Sequence, residues 1–263
     1  MSRVFAIANQ KGGVGKTTTA INLAAALAAN DLRVLVIDSD PQGNATTGLG
    51  VAKDPARPSI YEVLLGNVSP KDAIVPTDFD GLHLISADKN LVGANLELVE
   101  ITDREFRLRQ RITEIREDYR YILIDCPPAL DLLTLNALVA ADAVLVPIQC
   151  EFFALEGISE LMDTIDRIRV SFSHPLAVEG ILLTMYDDRT NLTRQVAADL
   201  REFFGDQVFR TVIPRSIRLA EAPSFGKTIL SYDPRSRGAE SYIQLAKEIL
   251  DHEQSRKSAQ SAR

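Results

Sequence analysis

The chain has 263 residues, of which 46% are hydrophobic, which is enough to bury one sizeable α/β core but marginal for two independent domains. The apolar stretch at the N-terminus is too short for a secretory signal, and no stretch approaches about 18 uncharged apolar residues. The sequence therefore predicts a soluble cytoplasmic protein. The net charge of −7 conceals an asymmetry: residues 1–188 contain 16 Lys and Arg against 27 Asp and Glu, whereas residues 189–263 contain 13 against 9, so an anionic partner is expected on the last third.

Short β-branched segments alternate with longer helical patterns, which is typical of a parallel sheet covered by helices on both faces. The predicted strands, in chain order, are 3–9, 33–38, 82–87, 121–125, 143–148, 178–186 and 208–213. The predicted helices are 16–29, 90–98, 104–117, 131–140, 153–170, 190–204 and 239–253. We therefore expect an α/β three-layer sandwich with a mostly parallel twisted sheet, in a single domain over residues 1–253, and a flexible polar tail over 254–263.

The loop after the first predicted strand reads KGGVGKTTT and opens a helix. Its glycines let backbone N–H groups curl around a phosphate, and the helix N-terminus adds a favourable dipole. Lys16 is expected to reach the β- and γ-phosphates of a nucleotide, and the Thr17 hydroxyl to ligate Mg²⁺. An ordinary P-loop has glycine at position 10, where this chain has Gln10, so the sequence matches the variant pattern KGGxGKT. The predicted phosphate-binding residues of the loop are Gly12, Gly13, Val14, Gly15, Lys16, Thr17 and Thr18.

Two acidic motifs follow predicted strands. In VLVIDSDPQGNAT, Asp38 and Asp40 come at the carboxyl end of the second strand, the edge at which open α/β sheets bind ligands. We expect Asp40 near the γ-phosphate and the metal, where it would orient the attacking water. In YILIDCPP, Asp125 ends a buried strand and is expected to bind Mg²⁺ through water, as a Walker B acid does. The alternatives are an ordinary Asp-Pro turn at Asp40 and a solvated aspartate at the end of a strand for Asp125.

The order of the motifs KGGVGKTTT, DSDPQGN, IDCPP, TMYDDRTNL and IPRSIRLAEAPSFGKTI resembles the ParA/Soj partition ATPases, within the MinD/ParA class of deviant P-loop NTPases. The resemblance runs from about residue 3 to residue 250. It implies ATP and Mg²⁺ as cofactors, and an ATP-dependent homodimer that hydrolyses ATP weakly. It also implies non-specific binding of double-stranded DNA and association with the nucleoid. A ParB-like centromere-binding protein would stimulate hydrolysis during chromosome or plasmid segregation.

The resemblance also assigns roles to individual residues. Lys11 would reach the phosphates of the partner subunit and neutralise charge in the transition state, as an arginine finger does. With Lys16 and Asp40 it completes the expected catalytic set. Gly12 would lie against the partner's loop. Pro214 and Ser216 occupy the stretch where relatives bind adenine, although several relatives have Asn at position 216.

The basic last third is similar to the DNA-binding surface of this family. Arg189 and Arg218 match arginines that contact phosphates there, and Lys227 is a third candidate. A solvated face with local salt bridges is the alternative. Two or three contacts per subunit, doubled in a dimer, would give a log–log salt slope of about −4 to −5. We expect no sequence specificity, because no recognition helix is evident.

Other functions of the same fold class are less consistent with the sequence. A MinD-like division-site ATPase would bind membranes through a C-terminal amphipathic helix, but the stripe within 239–253 is expected to dock on the core, so no stable membrane association is expected. A reductase with a cluster between subunits would need paired cysteines, and Cys126 and Cys150 lack that spacing. A small-molecule kinase would need an acceptor site, and none is evident.

Overall fold

The computed structural model describes residues 2–54 and 56–261. One eight-stranded sheet has the order β3-β4-β2-β5-β1-β6-β7-β8, and every described pairing is parallel except β3 with β4. The strands are β1 Arg3–Ile7, β2 Val34–Asp38, β3 Ile74–Pro76, β4 Leu82–Ile85, β5 Tyr121–Asp125, β6 Ala143–Gln149, β7 Ala177–Tyr186 and β8 Val208–Pro214.

Twelve α-helices are present in the part of the chain that the structure describes. They are α1 Lys16–Ala28, α2 Asn44–Gly48, α3 Ile60–Leu65, α4 Pro70–Ala73, α5 Leu91–Glu97, α6 Arg107–Thr113, α7 Leu132–Ala140, α8 Ala154–Ser171, α9 Asn191–Phe204, α10 Ile217–Glu221, α11 Ile229–Tyr232 and α12 Arg237–Ser261. Single 3₁₀ turns lie at Leu98–Glu100, Arg104–Phe106, Arg116–Asp118, Gly205–Gln207 and Ala222–Phe225.

Helices cover both faces of the sheet. Along β1, Val4 and Ala6 pack into one hydrophobic core, whereas Phe5 and Ile7 pack into the other. This is the alternation that a strand imposes on its side chains. Helices α3 and α5 to α9 lie over the first core, and α1 and α12 lie over the second. The predicted three-layer α/β sandwich is therefore confirmed.

The sequence pattern located all seven parallel strands but missed the short antiparallel edge strand β3 and the short helices α2, α3, α4, α10 and α11. The predicted helix 104–117 is wrong as one element, because it is divided into two 3₁₀ turns around α6. That the chain is a single domain stays a prediction.

The last helix continues past residue 253, where the sequence pattern placed the start of a flexible tail. The described residues 254–261 are helical. Arg256 explains part of this extension, because its Nη1 lies 2.7 Å from Oε2 of Glu179, whose side chain is fully buried in β7. Arg3 of β1 bonds the same oxygen at 2.8 Å. Among the described side chains of this segment, Arg256 thus attaches the polar end of α12 to the sheet by an ion pair.

The two edges of the sheet differ. At one edge β3 is only three residues long and ends at Pro76, which has no N–H to donate. At the other edge, β8 is packed against α12. The Glu248 carboxylate of α12 accepts hydrogen bonds from the backbone N–H groups of Arg210 and Thr211, at 2.8 and 3.1 Å.

Candidate functional site

A cavity of about 990 Å³ opens at the carboxyl ends of the central strands. Its volume lies in the range of small-molecule and cofactor sites. Strands β1, β2 and β5 are in register there, with Ile7 and Asp38 each paired with Asp125. The cavity brings together nine of the predicted site residues, namely Gly12, Gly13, Gly15, Lys16, Thr17, Thr18, Asp40, Pro214 and Ser216.

The glycine loop has the backbone geometry of a phosphate cradle. Gly13 and Gly15 have φ values of 75° and 87°, a left-handed conformation that favours glycine. α1 begins immediately afterwards at Lys16, so the free N–H groups of its first turn lie at the cavity. The Thr184 hydroxyl of β7 donates to the Val14 carbonyl at 2.7 Å, which attaches the loop to the sheet. The Val14 side chain is buried and does not line the cavity, so only its backbone is available to a phosphate.

Lys16 is buried inside the loop, and its Nζ donates to the Lys11 carbonyl at 3.0 Å. Burial lowers the pKa of Lys16, while the carboxylates of Asp125 and Asp40 oppose that shift. The ammonium group is therefore positioned among the glycine loop, the Walker B acid and the acid that we expect to orient water.

Lys11 differs from Lys16 in exposure and partner. Its side chain is 52% exposed and does not line the cavity. Its Nζ forms an ion pair with Glu151, which follows β6. The backbone N–H of Lys11 donates to Asn9 Oδ1 at 2.9 Å, so the start of the loop is fixed while the side chain faces outwards.

Asp38 and Asp125 are adjacent, fully buried carboxylates that differ in their hydrogen bonds: Asp38 accepts several, and Asp125 accepts none of good geometry within the described residues. Asp38 Oδ2 accepts from the N–H and the hydroxyl of Thr46, at 2.8 and 2.7 Å, and Oδ1 accepts from the Asp40 N–H at 3.2 Å. Within the described residues, neither oxygen of Asp125 has a hydrogen bond of good geometry. Asp125 is therefore the member of the pair whose oxygens can still accept a bond, although its side chain does not itself line the cavity.

The pKa values of both acids are raised. Burial raises the pKa of Asp38 to about 6, and the hydrogen bonds from Thr46 limit the rise. The pKa of Asp125 is raised well above its ordinary range, first by burial and then by the charge of Asp38. The nearby Thr17 hydroxyl and Lys16 ammonium partly offset that effect. A divalent cation beside Asp125 would restore the charged form.

Thr17 and Asp125 form a partial set of protein ligands, which suits Mg²⁺ because this ion also binds water and substrate phosphates. No group of three His, Cys, Asp or Glu side chains forms a metal site among residues 2–54 and 56–261. Mg²⁺ commonly takes one or two protein ligands together with water and substrate phosphates. The orphaned oxygens of buried Asp125 and the hydroxyl of Thr17, which lines the cavity, supply such a partial set.

Asp40 lines the cavity and is 9% exposed. Its Oδ1 accepts from the Gln42 N–H at 2.9 Å, and its carbonyl accepts from the Gly43 N–H at 2.8 Å. These bonds form a tight turn between β2 and α2. Within the described residues, Oδ2 of Asp40 accepts no hydrogen bond from this turn, so the side chain can face a ligand while its backbone is held.

The far side of the cavity contains Pro214 and Ser216, at the end of β8 and the start of α10. Ser216 is the N-cap of α10, and its Oγ accepts from the Leu219 N–H at 3.4 Å. Serine is a favoured N-cap residue, because its hydroxyl can accept a hydrogen bond from the first turn of a helix. Sequence reasoning missed Met185 and Arg215, which also line this side. Met185 has a φ of 48°, an unusual value for a non-glycine residue.

The three basic residues predicted to bind DNA lie outside the cavity. Arg189 is 82% exposed and is paired with Asp187 through Nε and Nη2, at 2.8 and 2.7 Å. Arg218 of α10 pairs with Glu221 at 3.2 Å and with Asp233 at 3.7 Å. Lys227 is exposed before α11. The local salt bridges weighed as an alternative are thus present for both arginines.

Among the described helices, none combines the length and apolar character needed to cross a bilayer. The apolar stripe of α12 is buried on the core, since Tyr242, Leu245, Ala246 and Ile249 are each fully buried.

Comparisons with known proteins agree with this architecture. Residues 2–178 match the family model described as an AAA domain. The chromosome partitioning protein ParA of Caulobacter vibrioides is 54% identical over 256 residues, covering 97% of this chain and 96% of that protein. The sporulation initiation inhibitor protein Soj of Bacillus subtilis is 51% identical, covering 95% and 98%. A structure of cobyrinic acid a,c-diamide synthase from Mycobacterium smegmatis with bound ATP analog and magnesium has 39% identity and a TM-score of 0.85, covering 97% of each chain.

The sheet, the glycine loop and the acids at the strand ends define a P-loop nucleotide-binding protein of the variant KGGxGKT type. Its similarity to ParA of Caulobacter vibrioides and to Soj of Bacillus subtilis extends over almost the whole chain. The chain belongs to the ParA/Soj family of chromosome-partitioning ATPases.

Proposed function

We propose that this protein is an ATP-dependent, dimerising partition ATPase that binds DNA non-specifically and moves a chromosome or plasmid with a ParB-like partner. The observation that supports it most is the convergence of Lys16, Thr17 and Asp40 on one cavity above buried Asp125. Family membership supports the choice of ATP, and so does the ATP analog with magnesium in the similar Mycobacterium smegmatis structure.

The residues of the cavity have separate roles in hydrolysis. The N–H groups of Gly13 and Gly15 and the ammonium of Lys16 would bind the phosphates. Thr17 and Asp125 would hold Mg²⁺, which would supply positive charge to stabilise the phosphates during hydrolysis. Asp40 orients the attacking water. No strong general base lines the cavity within the described residues, so slow turnover is expected without a partner.

Lys11 supplies the link between nucleotide state and dimerisation. Its ion pair with Glu151 is exposed, and such pairs contribute little to stability, so the ammonium can exchange this partner for a phosphate at low cost. The phosphate that we propose belongs to the nucleotide of a second subunit. Because each subunit would complete the site of the other, ATP would favour the dimer.

DNA binding would follow dimerisation. Arg189, Arg218 and Lys227 offer two or three phosphate contacts in one subunit and about four to six in a dimer, so pairing would multiply a weak affinity. The dimer would then reside on the nucleoid in the cytoplasm until hydrolysis, stimulated by the ParB-like partner, releases it. Burial of the α12 stripe favours this function over a MinD-like one, because Tyr242, Leu245, Ala246 and Ile249 pack on the core and are not available to a membrane.

One experiment tests the whole scheme. Retention of double-stranded DNA is measured with ATP, ADP and no nucleotide across a salt series, beside an assay of ADP release. We expect retention with ATP alone and a log–log salt slope of about −4 to −5. Equal retention in all three nucleotide states would contradict the switch. Binding to anionic vesicles in place of DNA would favour the MinD-like alternative.

A further inference from the structure

The N-cap residue of the short helix α2 makes no side-chain hydrogen bond to the first turn. That residue is Gly43, which has no side chain to accept a hydrogen bond from the first turn. The missing acceptor comes from β2, because Oδ2 of Asp38 accepts from the N–H of Thr46, the third residue of α2. Asp38 therefore caps this helix from a neighbouring strand.

The Asp38 carboxylate accepts hydrogen bonds from both ends of the segment 40–46, which begins with Asp40. Its Oδ1 accepts from the Asp40 N–H at 3.2 Å, and its Oδ2 accepts from Thr46 N–H and Oγ1 at 2.8 and 2.7 Å. All three donors are directed at a carboxylate that is completely buried. An amide in its place would have only one acceptor oxygen, so it could not accept from both ends.

The Thr46 hydroxyl extends this attachment to the next strand. While it donates to Asp38, Oγ1 accepts from the Ala87 N–H at 3.0 Å, just beyond β4. The segment is also in close contact with that point, since a Cβ on Gly43 would lie 2.8 Å from the Ala87 carbonyl oxygen. The turn around Asp40 is thus fixed between two strand ends.

We propose that Asp38 and Thr46 are positioning residues for Asp40, and that their buried hydrogen bonds hold the water-orienting carboxylate at the angle that hydrolysis requires. This inference rests on the proposed ATPase function. Neither residue lines the cavity, so both act through the turn rather than by contact with the nucleotide. Nucleotide affinity comes mainly from the glycine loop, which these bonds do not touch.

The test compares Thr46→Val with Thr47→Val. Valine has nearly the same shape as threonine, so the first change removes the buried hydroxyl alone. Thr47 is the next residue of α2, is exposed, and donates only to the Gly43 carbonyl within its own helix. Steady-state ATP turnover, ATP affinity and thermal melting are measured for both variants and for Thr46→Ser, which keeps the hydroxyl.

We expect Thr46→Val to lower kcat about 10- to 100-fold while the Kd for ATP changes less than about threefold, since small displacements of catalytic groups have effects of this size. Thr47→Val and Thr46→Ser should stay within about twofold of the wild type. A folded Thr46→Val with normal kcat would overturn the proposal, and so would equal losses of kcat and ATP affinity.

Asp38→Asn gives a second route if Thr46→Val does not fold. It should retain ATP binding and lose turnover to a similar extent, and normal turnover in this variant would also overturn the proposal. Failure of the proposed function has a different signature, because the wild-type protein itself would then release no ADP.

Discussion

The nucleotide cavity and the basic surface of the last third use charge in opposite ways. Lys16 lines the cavity, and Asp38 and Asp125 are buried behind its wall, where the register of β2 and β5 sets the spacing of the two acids. On the basic surface, Arg189 and Arg218 are largely exposed and are paired with acids of their own local segments.

This difference decides how each region should respond to substitution. Buried charges act in a low dielectric and have few alternative partners, so loss of one group should have a large effect. Exposed arginines exchange partners freely and are screened by salt, so loss of one should have a graded effect. The following predictions test that contrast.

Lys16→Ala should have the largest effect, because it removes the one cation buried inside the glycine loop. We expect ATP affinity to fall by at least about 10³-fold, as loss of a charge-assisted bond to phosphate in a buried site implies. Equilibrium binding of a fluorescent ATP analog measures this. Tight binding by the folded variant would refute the phosphate-binding assignment.

Asp40→Ala should bind ATP, dimerise and fail to turn over. The expected loss in kcat is about 10²-fold or more, because the water would lose its orienting carboxylate. Single-turnover hydrolysis and sedimentation with ATP report the two properties separately. A variant that stays monomeric yet hydrolyses ATP normally would refute this role.

Gly12→Val tests dimerisation without disturbing the subunit. A Cβ at Gly12 meets no atom within 4 Å among the described residues of this chain, so valine should be tolerated in the monomer. At a close dimer contact the extra bulk should weaken association about 10- to 100-fold. Sedimentation with ATP measures the change, and a normal dimer would place Gly12 outside the interface.

Arg218→Ala should have a smaller, salt-dependent effect on DNA binding. It removes one phosphate contact per subunit and two per dimer, so the log–log salt slope should fall by about 2. Arg109→Ala is the matched control, since Arg109 is an exposed arginine of α6 on the opposite layer of the sheet. An unchanged slope for Arg218→Ala would exclude this residue from the DNA surface.

Asp187→Asn should have the smallest effect, and it should raise the affinity for DNA rather than lower it. Arg189 holds the pKa of Asp187 at about 2 through hydrogen bonds, so this carboxylate competes with phosphate for the arginine. Its removal should raise DNA affinity about two- to fivefold. Asp188→Asn removes the same charge without a hydrogen bond to Arg189, so an equal gain from both variants would indicate net charge alone.

The sequence was sufficient to predict those site residues that belong to a recognisable motif at the end of a strand. The glycine loop, Asp40 and Asp125 were predicted because parallel strands end at one edge and the residue types are specific. Asp38 was visible at the same edge, but its role depends on Thr46 and Ala87, whose proximity only the fold creates.

Other features escaped prediction for physical reasons of the same kind. Strand β3 has three residues, too few for a periodic signal, and its pairing with β4 is a tertiary contact. The extension of α12 depends on a bond between Arg256 and Glu179, which are far apart in the chain. The capping role of Ser216 requires knowledge of where α10 begins.

The Glu248 carboxylate of α12, which accepts hydrogen bonds from β8, has a consequence for self-association at high local concentration. A free edge strand is a template for uncontrolled sheet-to-sheet growth, and here the N–H groups of Arg210 and Thr211 already donate to a charged side chain. Proteins that accumulate on a nucleic acid scaffold meet one another often. Occupied edges would direct such encounters away from fibre formation, and leave reversible pairing to other surfaces of the molecule.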